Sequence, residues 1–442
     1  TALVQALLSF DQAPPLAAPL RFFLTAPLFA ILAGLLLLWS GPDLFASRWT
    51  PAALALTHLI SVGLMLQVML GAMIQILPVA AGANLSRPLL VASLVHVAIT
   101  LGALLLAAGM LSYEPLVLRL AVFLLGSGVA LFVGAAARSL YGVPSTNPTV
   151  RGLKLALSGL SVTVGLGLLL AIAFSGGFEL PLPLRQLTPI HLGWGFVGWG
   201  VLLLAAVAFV VVPMFQMTPP YPAAFTGTFS WSVLALLCMW SFAAGAAWHW
   251  PSAILEGAVV LSVASFAALT LQVQSRSKRA KFDATQHYWR VGMLCALATC
   301  VLWFAAAVVP ALAERPEWSL CCGVLALVGG FMSVMIGMLY KIVPFLVWLH
   351  LQNRGGGRVL APTMNKVIAT RQIDRQMYAH LLALALLLAA VVWPLWFSYP
   401  AGLAVVLANA WLLHNLLTAA AFYRRHCLKI EAWEAATATP VG

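Results

Sequence analysis

Hydrophobic residues fill this chain in long blocks, separated by short segments that carry proline, glycine and charge. Within each block every face of a helix would be apolar, and a block of about 20 residues is long enough to cross a bilayer core of about 30 Å. The strands of membrane β-barrels alternate polar and apolar residues instead. The pattern predicts twelve transmembrane helices, at about 17–40, 51–79, 88–112, 115–138, 152–176, 188–213, 224–248, 252–273, 288–312, 318–348, 376–398 and 401–423.

Composition and charge support this interpretation. Of 442 residues, 63% are apolar and 8% are charged, whereas a soluble domain carries about a quarter charged residues. The net charge of +12 does not indicate a nucleic-acid partner, because the basic residues fall in predicted loops. All but four of the 23 basic residues fall on one side, which predicts a bacterial-type inner membrane protein with both termini cytoplasmic. The four on the other side are Arg48, Arg119, Arg185 and Arg315.

An internal repeat is predicted from three similar strings at 71–78, 206–213 and 337–344. Each has a small residue seven positions before a proline, and the prolines Pro78, Pro213 and Pro344 stand 135 and 131 positions apart. That spacing equals four predicted helices each time. We therefore predict a single all-α membrane domain over 1–442, built from three pseudo-symmetric four-helix arcs at about 17–138, 152–273 and 288–423.

Metal-ligating side chains occupy similar depths in the three repeated helices. His58 lies 20 residues before Pro78, and His191 and Cys322 each lie 22 residues before their prolines. Neutral imidazole is a good ligand for haem iron and copper, and a thiolate can hold haem iron or Cu(I). An ionisable group inside a membrane is costly and favours a functional role. Structural hydrogen bonding, and for Cys322 plain packing, are the alternatives.

Twelve helices in three four-helix arcs, with histidines in the second and sixth, resemble the haem–copper oxidase subunit I superfamily, which includes cbb3-type oxidases and nitric oxide reductases. The local strings are Thr57-His-Leu-Ile-Ser-Val-Gly63 and Ile190-His-Leu-Gly-Trp-Gly-Phe-Val-Gly-Trp199. The resemblance implies that His58 is an axial ligand of a low-spin haem and that His191 binds copper. It also implies electron transfer, or binding or reduction of NO or O2, near the outer membrane face. No C-x-x-C-H signature for covalent haem is present, which favours b-type over c-type haem.

The chain departs from that family at two helices. The predicted seventh helix has no His-His pair, and the predicted tenth helix has no histidine where the family supplies two haem ligands. A complete family-type binuclear centre is therefore not expected. Two readings remain open. The first is a divergent redox protein, with or without oxidoreductase activity, and the second is a non-catalytic accessory or scaffold subunit. Partner subunits of a redox complex, or further copies of the chain, are compatible with both readings.

Other polar residues give weaker expectations. His414, beside Asn415, is predicted in mid-membrane as a further cofactor ligand or proton relay. His96 and His380, at similar depths in the third and eleventh helices, could form a second site or a relay, or could be structural. All glutamates before the last helix are expected in outer loops, and the resulting lack of buried carboxylates argues against an ion-coupled transporter. These glutamates are Glu114, Glu179, Glu256, Glu314 and Glu317.

Overall fold

The computed structural model describes residues 9–177, 182–356 and 361–438, and contains no β-strand among them. Twelve helices are long and apolar enough to cross a membrane, which confirms the prediction of an all-α integral membrane protein. They are α1 Ala17–Ala46, α2 Pro51–Ala81, α3 Pro88–Ser112, α4 Pro115–Leu140, α5 Pro148–Phe174, α6 Gln186–Gln216, α7 Ala223–Gly245, α8 His249–Ser275, α9 Ala284–Val308, α10 Pro316–Gly355, α11 Thr370–Val392 and α12 Pro394–Ala435.

Proline begins half of these helices. Its fixed φ suits the first helical position, and its missing N–H is not needed there, because the first N–H groups of a helix have no partner within the helix. This explains why the boundary between α11 and α12 falls at Pro394 and not near Pro400, which lies inside α12. The prolines at first positions are Pro51, Pro88, Pro115, Pro148, Pro316 and Pro394.

The three repeated prolines do not all stand near the ends of their helices. Helix α2 ends three residues after Pro78, at Ala81, and α6 ends three residues after Pro213, at Gln216. Helix α10 instead continues eleven residues past Pro344, to Gly355. The predicted end of α10, at about 348, is therefore too early.

Helices α2, α6 and α10 lie at the centre of the bundle. Their membrane-crossing segments are 78%, 67% and 67% buried, compared with 22% for α8. The other helices pack around them, and the outer layer closes where α1 packs along α12. These three central helices carry the strings from which the repeat was predicted. The division of the chain into three four-helix units stays a prediction.

Glycines set the closest approaches between helices. A Cβ atom on Gly159 in α5 would overlap the backbone carbonyl oxygen of Gly198 in α6. A Cβ on Gly71 in α2 would stand 2.7 Å from the Phe23 ring of α1. Membrane helices associate largely through van der Waals packing, so small residues let their backbones approach. These contacts fix the outer helices against the central ones.

One ionic cluster joins the ends of α9 and α10. Asp283, immediately before α9, accepts from Lys341 Nζ at 2.6 Å and from Arg279 at 2.6 Å. Its other oxygen caps the first turn of α9 by accepting from the Gln286 backbone N–H at 3.0 Å. The Lys341 ammonium, which lies within α10, is thus paired with a carboxylate.

Candidate functional site

Each central helix contains a π-helical segment of eight residues: Leu59–Leu66 in α2, Trp194–Val201 in α6 and Leu325–Met332 in α10. Each segment begins 19 residues before the proline of the same helix (59 to 78, 194 to 213, 325 to 344). π-Helical turns are rare and are frequently found at functional sites. The shared position makes this the most informative local feature of the bundle.

The π segment of α10 contacts those of both α2 and α6. The segment of α2 packs against that of α10. The segments of α6 and α10 are joined by Phe196 and Phe331, whose rings stack with centroids 5.9 Å apart. A Cβ on Gly200 would stand 2.6 Å from the Phe331 ring, so a glycine is needed for this contact. The candidate ligands lie at the edge of this junction.

His58 is the residue immediately before the π segment of α2. Its Nδ1 lies 2.8 Å from the carbonyl oxygen of Leu54, one turn earlier in the same helix. A carbonyl oxygen can only accept, so His58 Nδ1 carries the proton of the neutral ring. Nε2 then carries the lone pair, and no described residue forms a hydrogen bond with it.

His191 lies three residues before the π segment of α6. Its Nδ1 lies 3.0 Å from the carbonyl oxygen of Thr163 in α5, which gives the same tautomer as in His58. Gly167, one turn further along α5, leaves room for this ring, because a Cβ there would stand 2.9 Å from His191 Cε1. Helix α5 thus orients the imidazole that α6 carries.

His58 and His191 lie close enough for their charges to interact. Both rings are surrounded by protein atoms, and yet both keep accessible surface. The two histidines singled out in the sequence are therefore neighbours with matching tautomers, and each presents a free Nε2 lone pair.

Cys322 occupies the same register in α10, three residues before its π segment. Its thiol interacts electrostatically with those of Cys321 and Cys300 and not with the two histidines. Open space adjoins the next residue, Gly323, where a Cβ would meet nothing within 4 Å. Among the described residues, no group of three or more His, Cys, Asp or Glu side chains is placed to hold a metal ion.

The remaining predicted histidines lie elsewhere. His414 is on the exposed surface of α12, while the adjacent Asn415 is buried and donates to the Tyr340 hydroxyl at 2.9 Å. His96 Nε2 lies 2.8 Å from Thr25 Oγ1 on α1, and His380 Nε2 lies 2.8 Å from Ser333 Oγ on α10. The structure gives His96 and His380 side-chain partners that the sequence did not predict.

The prediction that the glutamates before the last helix lie in outer loops is wrong for Glu256 and for Glu317, which lies in the first turn of α10. Glu256 was expected in an outer loop, but it lies within α8, where its Oε1 accepts from Trp303 Nε1 at 3.0 Å. The apolar segment at about 252–273 was predicted correctly, but Glu256, near its beginning, was assigned to a loop. The absence of carboxylates within the helices therefore no longer argues against a transporter. Glu179 lies outside the described residues.

The carbonyl groups that orient the two rings could not be predicted from sequence, because backbone acceptors have no residue signature. The π segments are also invisible to a simple hydropathy pattern, although the glycines at 198, 200, 329 and 330 mark two of them. Comparison with known protein families and with curated proteins gave no match.

Proposed function

We propose that this protein is a haem-binding integral membrane redox protein, with His58 and His191 as the haem ligands. The observation that carries the proposal is the shared state of the two rings. Each donates Nδ1–H to a backbone carbonyl oxygen and keeps Nε2 free. Metal-ligating histidines usually donate their second ring N–H in this way, which fixes the tautomer and the ring orientation.

The donor set fits haem better than copper. A protein copper site needs about three protein ligands, and no such group is found among the described residues. Haem iron receives four nitrogens from the porphyrin, so one or two imidazoles complete its coordination. Buried Trp194 and Trp199 lie in the adjoining π segment and supply apolar surface for a cofactor. Copper at His191 stays a secondary proposal.

A bound haem would supply one-electron chemistry and, if only one of the two imidazoles held it, binding of a small gas such as NO or O2. The contribution of this chain is orientation and exclusion of water. Leu54 and Thr163 carbonyls hold the two rings, and the stacked Phe196 and Phe331 close the space on the side of α10. His58 lies seven residues into α2, about 10 Å along the helix. In the orientation proposed from the basic residues, this end faces the outer side.

A second candidate function is an accessory or scaffold subunit that keeps the fold without the chemistry. It is favoured by the composition of α7 and α10. Within the described residues, α7 contains no histidine, and the one histidine of α10, His350, bonds to the carbonyl oxygens of Leu346 and Pro14. His350 is therefore occupied as a structural residue. Partner subunits or further copies of this chain would then cover the membrane-facing surface.

The optical spectrum of the detergent-purified protein, oxidised and dithionite-reduced, separates the two candidates. Iron and copper are quantified on the same sample, and the haem type is read from its pyridine complex. We expect a Soret band that shifts on reduction, about one iron per chain and non-covalent b-type haem. A flat spectrum without iron, from protein expressed with added haem precursor, would contradict the proposal and favour the scaffold reading.

A further inference from the structure

A small cavity of about 30 Å³ lies between five helices, α1, α2, α10, α11 and α12. Most of its wall is aliphatic, with Leu56 and Ile60 from α2 and Val328 and Met332 from the π segment of α10. Two polar side chains, His380 and Asn409, also line it. Both are 1% exposed, so bulk water does not reach them.

The hydrogen bonds of His380 determine what it offers to the cavity. Ser333 Oγ–H donates to the carbonyl oxygen of Val328 at 3.2 Å, so its single hydrogen is used there. The hydroxyl oxygen then accepts from His380 Nε2–H at 2.8 Å. In the neutral ring this leaves Nδ1 as an acceptor, without a partner among the described residues.

Asn409 offers a second acceptor. Its Nδ2 donates to the carbonyl oxygen of Val405, one turn earlier in α12, at 2.8 Å. This bond fixes the orientation of the amide, since the opposite orientation would place two oxygens together. Asn409 Oδ1 is then buried without any hydrogen-bond partner. An unpaired buried acceptor destabilises the fold, which favours a bound donor.

We propose that this cavity binds a water molecule that donates one hydrogen to His380 Nδ1 and the other to Asn409 Oδ1. The volume suits this ligand, since a water needs about 10–15 Å³ of such space, and the site is far too small for an organic cofactor. The chemistry also suits it, because two acceptors facing one cavity need a ligand with two donors.

The bound water joins three helices into one network: Ser333 on α10, His380 on α11 and Asn409 on α12. Leu56 and Ile60 stand two residues either side of His58, so the water lies beside the helix that carries the candidate haem ligand. An imidazole and a water at that place can hold or pass a proton. The water site itself does not depend on the proposed haem.

Hydroxyl-radical footprinting of the intact protein in detergent tests the proposal. X-ray pulses generate radicals from water, including bound water, and mass spectrometry reads methionine oxidation. Met332, 1% exposed, lines the cavity, whereas Met73, fully buried in α2, does not. We expect Met332 to be oxidised and Met73 to be protected. Equal protection of both would mean a dry cavity and would overturn the proposal.

A pair of variants in one helix tests whether Asn409 holds the water. N409L fills the cavity and removes the orphan acceptor, so Met332 oxidation should fall to the level of Met73. N415L is the matched control, because Asn415 is also buried in α12 but bonds Tyr340. It should leave Met332 oxidation unchanged. Unchanged Met332 oxidation in N409L would overturn the bridging arrangement.

Should N409L fail to fold, an experimental structure of the unaltered protein, at a resolution that shows ordered waters, decides the question. We expect a density peak within hydrogen-bond distance of both His380 Nδ1 and Asn409 Oδ1. Absence of this peak, with other buried waters visible, would overturn the proposal.

Discussion

His58 and His191 lie on neighbouring central helices, close enough for their charges to interact, and each donates Nδ1–H to a backbone carbonyl oxygen. The acceptors differ in origin, since Leu54 belongs to the helix of His58 whereas Thr163 belongs to the helix that packs beside His191. Two different hydrogen-bond acceptors thus fix the same tautomer in both rings and leave Nε2 free in each. This convergence is the strongest structural argument for a shared ligand.

The contact between α5 and α6 makes a prediction about stability. G159A should destabilise the protein by about 3 kcal/mol, because the new methyl group would overlap the carbonyl oxygen of Gly198 and separate the two backbones. Thermal unfolding in detergent, followed by circular dichroism, measures the effect. Since α5 also orients His191, bound cofactor should be lost at a lower temperature.

G165A is the matched control in the same helix. A Cβ on Gly165 would meet nothing within 4 Å, and alanine is a better helix former than glycine, so this variant should unfold at or slightly above the temperature of the unaltered protein. Equal unfolding temperatures for G159A and G165A would show that the close approach of α5 and α6 does not contribute to stability.

The carboxylate at the start of α9 predicts a pH dependence. Burial alone would raise the pKa of Asp283, but hydrogen bonds from Lys341 and Thr285 outweigh it and lower this pKa from 3.8 to about 2. Because the folded pKa is depressed, the ionised group stabilises the fold above pH 4, and this stability is lost as pH falls from about 4 to 2. The contribution at neutral pH is about 2 kcal/mol.

Comparison of D283N with the unaltered protein, from pH 6 to pH 2, measures that contribution. D283N should unfold more easily at pH 6, and the difference should shrink towards pH 2. E431Q removes the exposed ion pair between Arg354 and Glu431 and should cost less than about 1 kcal/mol at any pH, because solvent screens that pair. A pH-independent difference for D283N would contradict the assignment.

Glu256 and Trp303 make a separate prediction about the contact between the beginning of α8 and the end of α9. E256L leaves Trp303 Nε1–H without its acceptor and should cost about 1–3 kcal/mol, whereas E256Q keeps an acceptor and should cost less than about 1 kcal/mol. Thermal unfolding of both variants distinguishes a hydrogen bond from a role of the charge. In E256L/W303F the penalty should be smaller than the sum of the single effects.

Much of the fold could be predicted from sequence, because each membrane helix must bury some 20 apolar residues and so leaves a continuous hydropathy signal. The errors concern helix ends. The end of α10 was predicted at about 348, yet the helix continues to Gly355, because the N-terminal segment packs against this part of it, with Phe10 against Phe345 and the Pro14 carbonyl oxygen against His350. Hydropathy does not register such packing.

The site could be predicted only in part. Similar distances from the repeated prolines, 20 and 22 residues, singled out His58 and His191, and in the structure these two lie close enough for their charges to interact. The hydropathy pattern predicted His414 in mid-membrane. It could not predict that His414 lies on the exposed surface of α12, because this helix is apolar on all sides and the depth of a residue does not determine which face it occupies. The water site at His380 and Asn409 depends on an orphan oxygen and a cavity, neither of which has a sequence signature.

Haem content of histidine variants tests the central claim most directly. H58A and H191A are purified beside H249A, which removes an exposed histidine at the start of α8, and iron per folded chain and the reduced-minus-oxidised spectrum are measured for each. We predict that H249A keeps the spectrum of the unaltered protein and that H58A and H191A each lose the haem or show changed axial ligation. Unaltered iron content and spectra in both H58A and H191A would contradict the assignment of these residues as ligands.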